Sequence, residues 1–578
     1  MLYPKSNAYR QVVDLAGMWD FCLPAPGDAA DRTQGFQDGT PLAVPASWND
    51  QLMLERDELG PAWYQTRFAR PWGFAERRVF LRFGAVNYLA EVWLNGERLG
   101  EHEGGNMAFE FEVTGKLRAD ENVLVVRVDG GLAPDRVPPG NLPRGGGMSA
   151  FRSNYPNTNY DFFPFTGIHR PVLLYAIPPA AILDVRVNTA IEGQDGIVKV
   201  RVKHNAASGL IRLTLARAGA QQVGEAPLGA GEAEAVLRVP DAALWGPGHP
   251  NLYDLRVELV DGGQVSDTVD LRVGIRTIAV QGGQLLLNGE PIYLTGFGRH
   301  EDFPVVGRGL LPAVIVRDYE LMKWVGANSF RTSHYPYSEL MMDLADELGF
   351  LVIDETSAVG LFFEDEGQPR RLELCKQFTR ELIERDYNHP CVIGWSLANE
   401  PHTGGASATA FFKELVDLAK SLDASRPVTL VSMAGVQEEA FEFCDLVCIN
   451  RYFGWYIHSG RIEEGAAALS QDLDALYARF GKPILVSEFG ADALPGHHAT
   501  PPEMFSEEYQ AELILQSIAV MRSKPFVIGE HVWNLCDFKT SQGVIRANSM
   551  NYKGVFTRDR RPKLAAHRLR ELWHTHKM

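Results

Sequence analysis

Two glutamates of this sequence, Glu400 and Glu488, each follow a short apolar run that has the composition of a buried β-strand. Hydrolysis of a glycosidic bond requires two carboxyl groups that flank it: one donates a proton to the leaving oxygen, and the other attacks or activates water. A separation of about 5–5.5 Å would give a covalent intermediate and retention of configuration. For an isolated glutamate, an ion pair with Arg299 or Arg331 is the simpler interpretation. Two such glutamates at the ends of two strands favour a catalytic role over an ion pair.

A second unusual stretch lies near the C-terminus, where Asn551 and Lys553 begin a basic segment in a chain of formal net charge −17. The segment is either a solvated loop or a small anion-binding site. Residues two apart in an extended segment project to the same side. Asn551 and Lys553 could therefore hold one carboxylate together. The basic residues that follow are predicted to form a solvated or inter-domain face: Arg558, Arg560, Arg561 and Lys563.

Both glutamates belong to a region after Leu286 in which short apolar strands alternate with amphipathic helices. The strand candidates are Ile292–Thr295, Asn328–Arg331, Leu351–Asp354, Val392–Ser396, Val428–Val431, Leu446–Ile449, Ile484–Ser487 and Val527–Glu530. The helix candidates include Asp318–Val325, Ser338–Leu348, Leu374–Asp386, Ala410–Leu422, Ala466–Phe480 and Glu507–Met521. Repeated strand–helix alternation predicts a (β/α)8 barrel, whose active site lies at the carboxyl ends of the strands.

Polar and aromatic residues follow nearly every predicted strand, as expected of an active-site rim. Asn399 precedes Glu400, and its amide could hydrogen-bond a sugar 2-hydroxyl. His300 and His334 are assigned hydrogen-bonding roles, because no carboxylate–histidine spacing supports a metal site. No metal and no organic cofactor are expected. Three tryptophans could offer apolar faces to a sugar ring: Trp395, Trp455 and Trp533.

Two β units are predicted before the barrel. Alternating strands such as Arg78–Phe83 and Asn122–Val128, separated by Gly-rich turns, predict an all-β sandwich over residues 1–177. Further alternating strands, such as Gly196–Val202, predict an immunoglobulin-like sandwich over residues 178–280. The barrel then occupies residues 281–578.

The acidic balance, 56 basic against 73 acidic residues, argues against nucleic acid or an anionic membrane as a partner. The N-terminus has no apolar signal-peptide core, and no apolar run approaches the roughly 18 residues of a membrane span. The six cysteines are scattered without metal-ligand spacing and are expected to be reduced. A cytoplasmic enzyme is the default expectation.

Several motifs resemble glycoside hydrolase family 2 and, within it, bacterial β-glucuronidases. Trp395–Pro401 (WSLANEP) and Ser487–Gly490 (SEFG) are similar to the acid/base and nucleophile motifs of the family. The other matching stretches are Asp161–Arg170, Thr295–Asp302, Arg331–Tyr337, Asn450–Tyr452 and Asn551–Asp559. The resemblance runs along nearly the whole chain and implies a jelly-roll-like sandwich, then an immunoglobulin-like sandwich, then the (β/α)8 barrel.

The resemblance implies that Glu400 is the general acid/base and Glu488 the nucleophile. Asn551 and Lys553 match the Asn-x-Lys motif that binds the sugar carboxylate in β-glucuronidases. Arg546 could add a positive group, although the spacing from Arg546 to Asn551 is one residue longer than expected. The further substrate-binding candidates are Asp161, His334, Asn399, Asn450, Tyr452, Tyr456 and Trp533.

The expected function is retaining hydrolysis of terminal β-D-glucuronides, on small-molecule or oligosaccharide conjugates. The loop after Glu355 is short, which predicts an open entrance and leaves the aglycone undefined. The alternatives are a β-galacturonidase, an enzyme acting on both uronides and, more remotely, a non-catalytic carbohydrate-binding protein. The resemblance favours a homo-oligomer, either a dimer or a tetramer.

Overall fold

Three hydrophobic cores organise residues 2–143 and 153–575, which the computed structural model describes. One core extends from Trp19 to Ala176, a second from Ile182 to Ile275, and the third fills the C-terminal barrel. Met107 and Phe162 come from the N-terminal unit, yet they belong to the core of the barrel. The N-terminal unit is therefore packed against the barrel.

The N-terminal unit is a sandwich of two antiparallel sheets, as the alternating pattern predicts. The four-stranded sheet has the order Gln11–Asp14, Val172–Ile177, Arg78–Phe83 and Phe109–Glu112. The six-stranded sheet has the order Thr40–Val44, Gly17–Cys22, Ala62–Phe68, Asn122–Asp129, Leu89–Leu94 and Glu97–Glu103. A short helix, Trp48–Gln51, follows the strand Ala46–Ser47.

The second unit is a smaller, immunoglobulin-like sandwich. One sheet contains Ile182–Glu192, Asp195–His204 and Glu232–Val239; the other contains Ala220–Pro227, Leu210–Arg217, Tyr253–Asp261 and Gln264–Val273. Inward-facing residues such as Val198, Val200 and Val202 alternate with exposed ones and form the core. A small sheet of Ile278–Gln281, Gln284–Leu287 and Glu290–Pro291 leads into the barrel.

Eight parallel strands close the barrel. They are β1 (Leu294–Gly298), β2 (Ser329–Arg331), β3 (Leu351–Glu355), β4 (Val392–Asn399), β5 (Val428–Ser432), β6 (Val447–Asn450), β7 (Ile484–Glu488) and β8 (Val527–Val532). Each overlaps its predicted segment, because a strand buried on both faces has the near-continuous apolar run of a parallel sheet. The predicted fold class is confirmed.

Helices pack around the barrel: α1 (Pro312–Val325), α2 (Glu339–Leu348), α3 (Gln368–Asp386), α4 (Ala406–Leu422), α5 (Ile462–Phe480), α6 (Glu507–Arg522) and α7 (Leu564–Thr575). Between β5 and β6 the described chain forms two short 3-10 turns, Gly435–Gln437 and Glu439–Glu442. The sequence interpretation did not identify α7. No helix among the described residues is long and apolar enough to cross a membrane.

The prediction of a solvated or inter-domain face after Lys553 holds for Arg558 and Arg561 and is wrong for Arg560 and Lys563. Arg558 joins Asp50 of the N-terminal sandwich to Asp302 of the barrel, at 2.6 and 2.5 Å. Arg560 is buried against Asp318, and Lys563 is buried against Asp537. Arg561 alone in this run is largely exposed, with 80% of its side chain accessible. The error arose because the carboxylate partners lie far away in sequence.

A buried ion pair between the N-terminal sandwich and the barrel joins Arg82 to Glu339, at 2.6 Å. Arg82 is 1% exposed, and Glu339 begins α2. Burial opposes ionisation of Glu339, but the charge of Arg82 outweighs it and lowers the pKa of Glu339 to about 2. A pair of this kind costs about 3–5 kcal/mol to break, because the remaining charge stays buried.

We predict that Glu339→Gln lowers the thermal unfolding midpoint at pH 7, measured by scanning calorimetry. Glu347→Gln, at an exposed position of the same helix, is the matched control and should leave the midpoint unchanged. Because the folded pKa lies below the unfolded value, the stabilisation is complete above about pH 5 and is lost as pH falls through 4.5 towards 2. The unfolding midpoints of the two variants should therefore converge in acid. Equal midpoints at pH 7 would contradict the role of this pair.

Candidate active site

A pocket of about 600 Å³ opens at the carboxyl ends of the barrel strands. Its lining brings together the loop around Asp161 from the N-terminal unit, the ends of β4 and β7, and the segment from Ile545 to Lys553. The predicted site residues that line it are Asp161, His334, Asn399, Glu400, Tyr452, Tyr456, Glu488, Trp533, Arg546, Asn551 and Lys553. Asn450, the remaining candidate, lies behind this surface and contacts Glu400.

Glu488 is the last residue of β7 and is 3% exposed. Its Oε1 atom accepts a charge-assisted hydrogen bond from the Arg331 guanidinium, and its Oε2 atom accepts one from the Tyr452 hydroxyl at 2.6 Å. The Nε2 atom of His334 lies 3.5 Å from Oε1. Donors that bind the ionised carboxylate stabilise it and fix its orientation.

Arg331 also pairs with Glu355, at 2.7 Å, so one buried guanidinium holds two carboxylates. Glu355 further accepts a hydrogen bond from the Ser396 hydroxyl at 2.7 Å, and the Nδ1 atom of His334 lies 3.0 Å from it. The alternative to a catalytic role for an isolated glutamate was an ion pair with Arg331. The structure contains that pair, and its carboxylate member, Glu488, lines the pocket while Arg331 is fully buried. Arg299 pairs instead with Asp318.

Glu400 follows β4 directly, and its backbone has φ of 46°, in the left-handed region. This conformation costs about 1–3 kcal/mol for a residue other than glycine and is often found where a functional side chain is held in place. The amide of Asn450 donates to Glu400 Oε1 at 2.7 Å and lies 3.1 Å from Asn399 Oδ1. Ser487, next to Glu488, donates to Asn450 Oδ1 at 3.0 Å and so orients that amide.

Burial raises the pKa of both glutamates. For Glu488 burial is the main cause, with Arg331 opposing the rise and the charge of Glu400 adding to it. For Glu400 burial is again the main cause, opposed by Asn450 and Arg331. Glu488 has a cationic and a hydroxyl donor where Glu400 has one amide, so these contacts favour Glu488 as the ionised member of the pair and Glu400 as the protonated one.

A second cluster in the pocket surrounds Asp161. The amide of Asn551 donates to Asp161 Oδ2 at 2.9 Å, and the Nε atom of Arg546 donates to Oδ1 at 2.9 Å. Arg546 also donates to the Tyr456 hydroxyl at 2.9 Å. The longer spacing between Arg546 and Asn551 therefore does not remove Arg546 from the site. Asn548, inside this segment, has a left-handed backbone.

Lys553 is 1% exposed and forms an ion pair with Asp492, a residue that the sequence interpretation did not identify. Its ammonium group also donates to the Tyr456 hydroxyl at 3.0 Å. Asp492 accepts the backbone N–H of Tyr552 at 2.8 Å, and Arg546 lies 3.5 Å away. The only sequence signal for Asp492 was a carboxylate four residues after Glu488, at the same end of the barrel.

Of the three tryptophans predicted to face a sugar ring, one lines the pocket. Trp533 lines the pocket and stacks on His334, with ring centres 4.9 Å apart. Trp395 is fully buried, and its indole N–H donates to Asp423 at 3.0 Å. Trp455 packs on Phe505, away from the pocket lining. Neither of these two can receive a sugar ring.

His300 is buried between aromatic rings, and its Nδ1 atom lies 3.0 Å from the Tyr335 hydroxyl. Burial is the main cause that lowers its pKa well below the usual range; burial likewise lowers the pKa of His334, to about 4. Both imidazoles are therefore neutral near pH 7 and serve as hydrogen-bonding groups.

One group of possible metal ligands occurs among the described residues: Asp346, His389 and Cys391. It lies at the amino end of β4, away from the pocket. Burial opposes protonation of His389, but Asp346, 2.6 Å away, outweighs it and raises the pKa of His389 to about 9. A protonated imidazole has no lone pair for a metal, so these contacts form an ion pair.

A (β/α)8 barrel with two glutamates in one pocket, one directly after β4 and one at the end of β7, both with raised pKa values, is the arrangement of a glycoside hydrolase. Three family models match consecutive parts of the chain: the glycosyl hydrolases family 2 sugar binding domain at residues 12–178, a second family 2 domain at 180–276 and the family 2 TIM barrel domain at 278–578. The chain belongs to glycosyl hydrolases family 2.

Relatives align along the whole chain. A β-glucuronidase of Paenibacillus borealis is 39% identical over 99% of this chain and 98% of its own length. The human β-glucuronidase is 36% identical over 99% of this chain and 92% of its own. A solved β-glucuronidase of an uncultured Clostridium species covers 100% of both chains at 40% identity with a TM-score of 0.92. A Bifidobacterium dentium β-glucuronidase, solved with coumarin-3-O-glucuronide, is 38% identical with a TM-score of 0.94 and covers 99% of this chain and 98% of its own.

We predict that Tyr452→Phe moves the acidic limb of the pH profile of kcat/KM to higher pH, by roughly one unit. The hydroxyl donates to ionised Glu488, so its loss raises the pKa of that carboxyl group. The limb is measured on an aryl glycoside, because kcat/KM reports ionisation of the free enzyme. Tyr477→Phe, on α5, is the matched control. A lower rate with an unmoved limb would contradict this role of Tyr452.

Proposed function

We propose that this family 2 member is a β-glucuronidase that removes terminal β-D-glucuronic acid with retention of configuration. The observation that carries the proposal is the pairing of two sites in one pocket. The Glu400–Glu488 pair can cleave a glycosidic bond, and Asn551, Lys553 and Arg546 line the same pocket. Relatives that align along the whole chain are named β-glucuronidases.

In the proposed reaction, the sugar carboxylate accepts hydrogen bonds from Asn551 and Lys553. Glu400 donates its proton to the aglycone oxygen while Glu488 attacks the anomeric carbon. The carbon–oxygen bond to the aglycone breaks, and an ester bond to Glu488 forms. Glu400, now ionised, takes a proton from water, which attacks the same carbon and releases Glu488.

The charge environment of the pair supports this division of roles. Arg331 and Tyr452 hold Glu488 with donors that favour the carboxylate, which a nucleophile requires. Esterification removes the negative charge of Glu488, so the pKa of Glu400 falls and its carboxylate form, which accepts the proton of water, predominates in the second step. Asn399 lines the pocket beside Glu400, where its amide can bind a sugar hydroxyl.

The proposal is tested by initial rates on p-nitrophenyl β-D-glucuronide and β-D-galacturonide, compared on the same enzyme preparation. These two sugars share the carboxylate and differ only in the configuration at O4. We expect a strong preference for the glucuronide. A preference for the galacturonide would overturn the assigned sugar while keeping the two-carboxylate chemistry.

We predict that Glu488→Ala lowers turnover of p-nitrophenyl β-D-glucuronide by several orders of magnitude, because no ester can form. Circular dichroism should remain that of the folded wild type. Glu503→Ala, at a solvent-exposed glutamate, is the control for loss of a carboxylate. Activity of Glu488→Ala near the wild-type level would refute its assignment as nucleophile.

We predict that Lys553→Ala reduces kcat/KM for the glucuronide by about 10²-fold more than for p-nitrophenyl β-D-glucoside. A hydrogen bond to a charged group contributes about 1.5–3 kcal/mol, which sets this scale. The ratio of the two substrates on one preparation removes any effect of misfolded protein. Lys413→Ala, on the exposed side of α4, is the matched control. Equal losses on both substrates would argue against carboxylate binding by Lys553.

Asp492 is predicted to act as a positioning residue, because it holds the ammonium group of Lys553 without lining the pocket. Asp492→Asn keeps the size of the side chain and removes its charge. We expect KM for the glucuronide to rise about tenfold, with kcat changed less and the glucoside unaffected. A uniform loss of kcat on both sugars would indicate a purely structural role instead.

A further inference from the structure

Arg308, in the loop between β1 and α1, is buried with no ion-pair partner in the described ranges. The residue is 6% exposed. Its Nε atom and one terminal nitrogen are buried and have no hydrogen-bond acceptor among the described residues. An isolated buried cation costs several kcal/mol even after local relaxation, so this arrangement requires a compensating partner.

The acidic residues adjacent to this loop are already engaged. Glu301 pairs with Arg170 at 3.2 Å, and Asp302 pairs with Arg558 at 2.5 Å. The stretches outside residues 2–143 and 153–575 contain neither aspartate nor glutamate. No acidic side chain among the described residues lies within 4.0 Å of the Arg308 guanidinium, the distance of an ion pair.

Aromatic rings supply part of the compensation. The guanidinium carbon of Arg308 lies 3.4 Å from the centre of the Tyr335 ring and 5.9 Å from that of Phe162. A cation–π contact stabilises the charge from the ring face. It provides no acceptor for the N–H groups, which point along the guanidinium plane.

Arg308 lines a cavity of about 30 Å³ between the N-terminal sandwich and the barrel. The described lining contains a second arginine, Arg136, and no carboxylate. Ser357 accepts a hydrogen bond from Asn106 at 3.0 Å, and Tyr88 accepts one from the Val137 N–H at 3.0 Å. Both hydroxyls line the cavity, and each keeps a proton to donate. The polar groups around the cavity are thus mainly donors.

We propose that this cavity binds a small monovalent anion of the halide class, with Arg308 as its principal ligand. A water molecule needs about 10–15 Å³, so the cavity has room for a monatomic ion but not for phosphate or a sugar acid. The unpartnered guanidinium of Arg308, the two hydroxyl donors and the lack of a carboxylate in the described lining favour an anion over water; Arg136 is already paired with Asp129, at 3.5 Å. Tyr160 and His334 line both this cavity and the active-site pocket, so the bound ion lies directly behind the pocket wall.

The direct test is anomalous diffraction from crystals of the full chain soaked in sodium bromide. We expect a bromide peak within hydrogen-bond distance of the Arg308 guanidinium. Density for water alone at this position, with bromide bound elsewhere, would overturn the proposal.

A solution test separates specific binding from an adventitious ion. The unfolding midpoint is measured in sodium bromide and in sodium gluconate at equal ionic strength, for the wild type, Arg308→Gln and Arg308→Lys. We expect bromide to raise the wild-type midpoint by at least about 1 °C, Arg308→Lys to keep part of this rise, and Arg308→Gln to lose it. Equal shifts in Arg308→Gln and the wild type, or no shift in any variant, would contradict the site. If Arg308→Gln does not fold, the bromide diffraction peak and the wild-type midpoints in bromide and gluconate decide whether the site exists.

Discussion

The active site depends on one buried cation, the guanidinium of Arg331, and the two carboxylates that it must neutralise. Arg331 ends β2, Glu355 ends β3 and Glu488 ends β7. Arg331 and Glu355 are fully buried, so none of the three charges can be removed without leaving another exposed to a low-dielectric interior. Closure of the barrel places these strand ends together, and the ion pairs in turn fix the orientation of Glu488.

Pairing between carboxylates and cations also orders the other groups of the pocket. Glu400 has an amide donor and no cationic partner, whereas Glu488 has the guanidinium of Arg331, which favours its ionised form. In the second cluster, Arg546 and Lys553 are balanced by Asp161 and Asp492. An incoming carboxylate would therefore join a network that is already ordered, which lowers the cost of reorganisation on binding.

The N-terminal sandwich contributes to the site itself. Asp161 enters the pocket from this unit and contacts both Arg546 and Asn551. Phe162 packs into the core of the barrel, and the Arg82–Glu339 pair joins the two units nearby in the fold. Movement of the sandwich relative to the barrel would displace Asp161, so packing between the units is a condition for the geometry of the pocket.

The sequence predicted those features that local pattern determines. The eight strands were located because each buried strand is a short apolar run, and Glu400 and Glu488 were found because they follow such runs. Asp492 was missed because its partner, Lys553, is 61 residues away. Arg560 was misjudged for the same reason, since it meets Asp318 over a separation of 242 residues. Trp395 and Trp533 could not be distinguished, because the side of the strand end that each ring occupies depends on the closed barrel.

The most direct test of this account is to trap the intermediate on the enzyme. The protein is incubated with 2-deoxy-2-fluoro-β-D-glucuronyl fluoride, whose fluorine at C2 slows the second step, and is then digested and sequenced by mass spectrometry. The account predicts one fluoroglucuronyl group per chain, attached to Glu488. A label on another residue, or turnover that releases the inverted anomer without any label, would contradict the assignment of Glu488 as the nucleophile held by Arg331.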